Sequence, residues 1–136
     1  MKKRTAVTLL MAATLTTGAM AATPAMAAEP TTASSVLVTY VHENGSTFKS
    51  ILNDTDSIAA ARDQLAGGDN ASHPSGRIVY GAANENIGWT WHLEGTRQVD
   101  ADIEICDGTP EDVETHAITS TTYCPWGARP IAIQDL

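Results

Sequence analysis

Basic residues are scarce in this chain: 8 Lys and Arg stand against 16 Asp and Glu, for a formal net charge of −8. Binding to nucleic acid or to anionic lipid rests on neutralising phosphates with Lys and Arg, so neither is an expected partner. Aromatic residues make up only 5% of the chain, which makes any cluster of them informative. After the N-terminal segment no apolar run is long enough to cross a bilayer. The signatures of chemistry are missing as well. Without a G-x-S-x-G elbow no nucleophilic triad has support, and without a CxxC or HxxxH spacing no metal site has. No cofactor and no enzymatic activity are therefore expected.

What is present begins with MKKRTAVTLLMAATLTTGAMAATPAMAAEP. Lys2, Lys3 and Arg4 precede an uncharged, small-residue run that ends at Ala25-Met-Ala27, the layout of a secretory signal peptide, bacterial in style. Residues 1–27 are expected to be removed, placing the product in the extracellular space or on the cell-envelope exterior, with no membrane contact after cleavage. Loss of the three bases shifts the net charge to about −11, which favours partners with a basic surface. Residues 28–34, small and polar, read as a flexible N-terminal tether. Residues 35–136 read as a single domain.

Only two cysteines occur, Cys106 and Cys124. In an oxidising compartment they are expected to pair. The disulfide would close a loop of about 18 residues, a constraint valued at roughly 3 kcal/mol by chain entropy.

Along the domain, Ser35-Val-Leu-Val-Thr-Tyr-Val41 and Thr47-Phe-Lys-Ser-Ile-Leu52 flank the turn signal Glu43-Asn-Gly-Ser46, predicting a hairpin with Phe48, Ser50 and Leu52 on one face. A helix is predicted after Asp54 or Thr55 as cap, with Ile58, Ala61 and Leu65 at helical spacing and Gly67-Gly68 as the exit. Residues 69–76 read as a polar loop containing His73. Short strands are then expected at Arg77-Ile-Val-Tyr80 and Trp89-Thr-Trp-His-Leu93. After a break at Glu94-Gly95, Val99-Asp-Ala-Asp-Ile-Glu-Ile105 alternates strictly and predicts a strand with Asp100, Asp102 and Glu104 on its solvated face. Thr109-Pro-Glu-Asp opens a second helix with cap, proline and first-turn acids. Ile131-Ala-Ile133 would add a last short strand. Together these elements predict an α+β domain: one small, mostly antiparallel sheet, one or two helices packed on it, and one disulfide.

Period-two spacing puts Trp89 and Trp91 on one face, read as core packing with a binding platform as the alternative. It puts His92 on the other face. Cys124-Pro-Trp-Gly-Ala-Arg-Pro130 is a disulfide-anchored, proline-framed segment carrying Trp126 and Arg129. Its rigidity suits a secreted protease inhibitor, although Pro130 directly after Arg129 is a poor neighbour for tryptic cleavage. A hydrolytic or metal-dependent site of His92 with Asp107 or Glu104 has the least support.

Phe48 with Leu52, Ile58-Ala-x-Ala-Arg62, Leu65-Ala-Gly67, His73, Gly76-x-Ile78, Trp89-x-Trp-His-Leu93, Ile103-Glu-Ile-Cys-Asp107, Val113-Glu-x-His116 and Cys124-Pro-Trp126 with Arg129 form one ordered series. Over about residues 47 to 133 this series resembles a family of small secreted bacterial domains, termed calmodulin-binding-protein-like, that match the amino-terminal domain of a eukaryotic calmodulin-binding protein. The resemblance implies a non-catalytic binding or interaction module. Calmodulin binding is suggested by the family label alone. The predicted helix from Asp56 to Ala66 carries one base, Arg62, against Asp56 and Asp63, whereas calmodulin targets are basic amphipathic helices. The partner, protein or small molecule, is unassigned. The expected contact surface joins Trp89, Trp91 and His92 with Trp126 and Arg129, and the alternative function is inhibition of an extracellular protease by the Cys124 to Pro130 loop.

Overall fold

The computed structural model describes residue 18, residues 23–25 and residues 34–136. Most of the expected signal peptide and of the expected tether lie outside the described residues. Within them, strand β1 (Val36–Val41) and strand β2 (Thr47–Leu52) form the expected antiparallel hairpin, with Tyr40 opposite Phe48 and Val36 opposite Leu52. Val36, Val38 and Tyr40 of β1 and Phe48, Ser50 and Leu52 of β2 are buried, which is the period-two alternation of a strand with one covered face.

Helix α1 (Thr55–Leu65) starts where Asp54 caps it, its side chain accepting a hydrogen bond from Ser57 N at 2.9 Å. The helix ends before Gly67, whose φ of +85° is the left-handed geometry that glycine adopts without a Cβ penalty. Its buried face is Ser57, Ile58 and Ala61, and it packs on the sheet. Leu65, expected on that face, is 43% exposed in the last turn.

Strand β3 (His73–Tyr80) and strand β4 (Trp91–Val99) are antiparallel neighbours, β5 (Thr122–Tyr123) adds to the free side of β3, and β6 (Arg129–Asp135) pairs with β1. The strand order is β5-β3-β4-β2-β1-β6, a six-stranded sheet in which β2 and β4 run parallel at Leu52 and Thr96. The sheet is mixed, and the domain is mostly sheet, with α1 and the short α2 (Pro110–Glu114) as the α-helices among the described residues. The expected α+β layout with a mostly antiparallel sheet thus needs this correction: the return through α1 and β3 brings β4 back alongside β2 in the same direction. Hydroxyls reinforce the parallel junction, since Ser50 Oγ donates to Thr96 Oγ1 in the interior.

Helix α2 carries the full reciprocal cap: Thr109 Oγ1 accepts from Asp112 N, and the Asp112 carboxylate accepts from Thr109 N at 2.8 Å. The core is an aromatic cluster of Tyr40, Phe48, Trp91 and Tyr123, with ring centroids 5.2 Å apart for Tyr40–Phe48 and 5.6 Å for Trp91–Tyr123. Each such pair contributes about 0.5–1.5 kcal/mol beyond burial.

Several segments differ from the sequence expectation, among them residues 73–76, read as loop but part of β3, and residues 129–130, which open β6. The break expected at Glu94-Gly95 is a bulge inside β4: Ser75 faces Arg97 and Arg77 faces Glu94, so Gly76 alone opposes two residues, and Gly95 takes φ +62°. The strand expected over Val99 to Ile105 ends at Val99. His73, the first residue of β3, is the partner of Val99, so nothing remains for later residues to pair with on that side. Ile103 and Ile105 are 61% and 64% exposed, and residues 104–106 form a 3-10 turn instead.

Candidate functional site

Trp91 is fully buried, as the core reading of the tryptophan pair requires. Trp89 lies just before β4, packed against Trp91 at a centroid distance of 5.7 Å, and its indole N–H donates to Thr47 O at 2.9 Å. Both rings are engaged by the domain itself. His92 points to the opposite face, with Nδ1 3.0 Å from Gly81 O and Nε2 3.7 Å from Glu94. Its proposed partners are elsewhere: Asp107 Oδ1 accepts from Trp126 N and Gly108 N, while Glu104 sits in the 3-10 turn. The pairing of His92 with Asp107 or Glu104 is therefore not formed.

The expected surface joining the Trp-His strand to the Cys124–Arg129 segment comes together only in part: Trp89 and Arg129 lie beside the paired Thr47 and Val41, but His92 and Trp126 are apart. His92 faces Val79 at one end of the β3–β4 pair, whereas Trp126 packs at a tilt near His73 at the other. Val79 lies six positions beyond His73 along β3, about 20 Å of chain at the usual rise. Arg129 is drawn into β6, opposite Val41, and Pro130 is buried opposite Tyr40. The Arg129–Pro130 bond thus lies in a sheet ladder and is not displayed on a loop.

The residues that do converge lie at the disulfide end. Cys106 and Cys124 are joined, with Cα atoms 5.1 Å apart and Cys124 N donating to Cys106 O. This bond fixes the segment carrying Trp126 against the turn carrying Asp107. On the other side, Gln64 from α1 donates to Asn70 O and Ser72 O and accepts from Gln98 Nε2, so helix, sheet and the approach to His73 are tied together. Asp102 accepts from Ser75 Oγ at 2.6 Å and from Ile103 N at 2.9 Å, which turns the chain back over the start of β3. A cavity of about 280 Å³ results, lined by Ala71, His73, Asp100, Ala101, Asp102 and Trp126.

Electrostatics separate its walls. The hydrogen bond from Ser75, with that from Ile103 N, holds the Asp102 carboxyl below the usual carboxylate range despite partial burial. Burial lowers the proton affinity of His73 against the opposing pull of Asp102, Asp107 and Asp100. The imidazole is 5% exposed and its Nε2 has no hydrogen-bond partner. Trp126, by contrast, is 46% exposed at the rim. At neutral pH the cavity therefore presents a neutral ring, two carboxylates and an aromatic surface.

A larger depression of about 540 Å³ covers the solvent face of β3 and β4, but its Arg77 and Glu94 pair with each other. Sequence reasoning reached Trp126 and missed His73 as a site residue, because Pro74 and the polar stretch around it read as a loop. Asp100 and Asp102, with Glu104, read in the sequence as a solvated strand face in preference to a calcium site, because apolar residues separate the acids.

A family model for the N-terminal domain of calmodulin-binding protein 74 matches residues 33–135. The match coincides with the calmodulin-binding-protein-like resemblance read from the ordered motifs. No curated protein and no solved structure matches the chain.

Proposed function

Given that the chain belongs to the family of calmodulin-binding protein 74 N-terminal domains, we propose that it is a secreted, non-catalytic binding module whose contact surface is the disulfide end, around Trp126 and the cavity behind it. The observation that carries this reading is the exposed Trp126 indole at the rim of a cavity walled by the buried, unpartnered His73 imidazole. Concave sites with a few convergent polar groups and a shifted titratable residue are where ligands bind. Secretion rests on the signal-peptide layout, and it agrees with a disulfide as the staple of a small domain.

Calmodulin is a poor fit as the partner. Helix α1 spends its apolar side on the sheet, and its bases do not outnumber its acids. A calorimetric titration with calcium-loaded calmodulin is expected to give no heat.

The contact surface is tested by nuclear magnetic resonance mapping with a fragment library containing cationic, neutral and anionic members. Fragments that bind unchanged should shift resonances of residues 71–73, 100–102 and Trp126. Turnover of fragments, or shifts confined to Trp89 and His92, would contradict the reading.

A further inference from the structure

Resting on the reading that the disulfide end is the contact surface, we infer that the cavity between His73, Asp102 and Trp126 is a subsite for an organic cation, a guanidinium or alkylammonium group. The first argument is hydrogen-bond capacity. A ring nitrogen of His73 and a carboxylate oxygen of Asp102 lie within 4.8 Å of each other, yet no hydrogen bond joins them among the described residues. An imidazole that is 5% exposed with Nε2 unpartnered carries an unmet demand in the protein interior. With the imidazole proton on Nδ1, Nε2 is an acceptor, so donor N–H groups entering the cavity would serve the imidazole and the carboxylate together, and a guanidinium presents several in a fixed fork.

The second argument is the sign of the field. Asp100 and Asp102 line the cavity and Asp107 lies close enough to act on His73, while burial keeps the imidazole itself uncharged. A cation thus meets carboxylates without a like charge. Trp126 adds an indole half open to solvent, and such a face attracts guanidinium and ammonium groups.

The third argument is size and donor type. About 280 Å³ exceeds what a single ion needs and suits a planar cationic head with its methylene stem. A metal ion is a weaker match. His73, Asp102 and Cys124 cluster closely, but the Cys124 sulfur is bonded to Cys106 and offers no thiolate. The strongly acidic chain, at net −8 before any cleavage, favours the same class of ligand.

The test is a calorimetric titration of the purified protein at pH 7.5 with butylguanidinium, butylammonium, neutral butylurea and zinc. Butylguanidinium is expected to bind saturably at one site, and butylurea at least about tenfold more weakly, because charge-assisted hydrogen bonds and the indole contact are lost together. Asp102→Asn should weaken binding about tenfold. Since that change also disturbs the Ser75 contact, Asp100→Asn serves as the second variant, with an expected loss of about threefold. An acetylated, amidated Ala-Arg-Ala peptide distinguishes sources. Markedly tighter binding than butylguanidinium assigns the cation to a basic partner protein, and equal binding assigns it to a free small organic cation.

Equal affinity for butylurea, an unchanged Asp100→Asn variant, or zinc binding without cation binding would overturn the inference. If neutral or anionic fragments shift Trp126 and His73 while butylguanidinium does not, the cation inference fails and the contact surface stands. If no fragment shifts them, both fail.

Discussion

Trp126 lies over His73 with ring centroids 6.2 Å apart and planes tilted by 44°. One ring is held by the disulfide segment and the other opens β3, so residues 53 positions apart in sequence form one rim. That rim carries the functional reading, and the pairing predicts how the domain responds to pH, to reduction and to substitution.

Burial lowers the proton affinity of His73 below its ordinary value of 6.5 in the folded protein. The unfolded chain then takes up a proton near 6.5 that the folded chain does not. Stability is accordingly flat with respect to this group above pH 6.5 and falls as pH drops from there toward the lower folded value. Urea denaturation of the native protein and of His73→Gln, measured at pH 7.5 and 5.5, should show a smaller fall for the variant. Equal slopes would place the imidazole in solvent.

The same protonation bears on ligand capture. Asp100, Asp102 and Asp107 face the imidazole, and Asp102 keeps its charge to lower pH than an ordinary carboxylate. Cation affinity should therefore weaken only as pH falls through the lowered folded value of His73, beneath its ordinary 6.5, where charge on the imidazole repels the ligand, and His73→Gln should flatten that decline. Calorimetry at several pH values reads the effect directly.

Joining Cys106 to Cys124 across 18 positions limits the unfolded chain. The double variant Cys106→Ala, Cys124→Ala should lose about 3 kcal/mol of unfolding free energy. It should also bind ligand at the cavity more weakly, because Trp126 loses its anchor. Equilibrium denaturation provides the first number and titration the second.

Asn86 is buried at the end of the 3-10 turn Asn84–Asn86 before β4, accepting from Lys49 N at 2.8 Å and donating to Trp91 O at 3.0 Å. It bridges β2 to the start of β4 where backbone pairing is absent. Asn86→Ala strands both backbone groups and should cost about 2–4 kcal/mol. Trp91→Ala, which empties the centre of the aromatic cluster, should cost about 3–5 kcal/mol. Thermal denaturation of the two variants checks both.

Local chemistry made several elements legible. Alternating Val36, Val38 and Tyr40 against Phe48, Ser50 and Leu52 predicts the hairpin, because period two leaves only one face to bury. Asp54 and Gly67 bracket α1, and Thr109 with Asp112 opens α2, because caps satisfy backbone groups within a few residues. What depends on distant partners was not legible. Val99 to Ile105 alternates as a strand should, but alternation cannot reveal that β3 ends opposite Val99. The parallel contact of β2 with β4 needs the path of the intervening chain. The cavity joins residues 71–73, 100–102 and 126, three separate stretches, and of these the sequence favoured only Trp126 as a contact residue.

The central claim places recognition at Trp126 and not at the tryptophan pair before and within β4. Butylguanidinium titrations of Trp126→Ala and Trp89→Ala, run side by side on folded protein, test it most directly. Loss of about tenfold or more in affinity in Trp126→Ala, with Trp89→Ala close to the native protein, is the predicted result. Native affinity in Trp126→Ala together with loss in Trp89→Ala would contradict it.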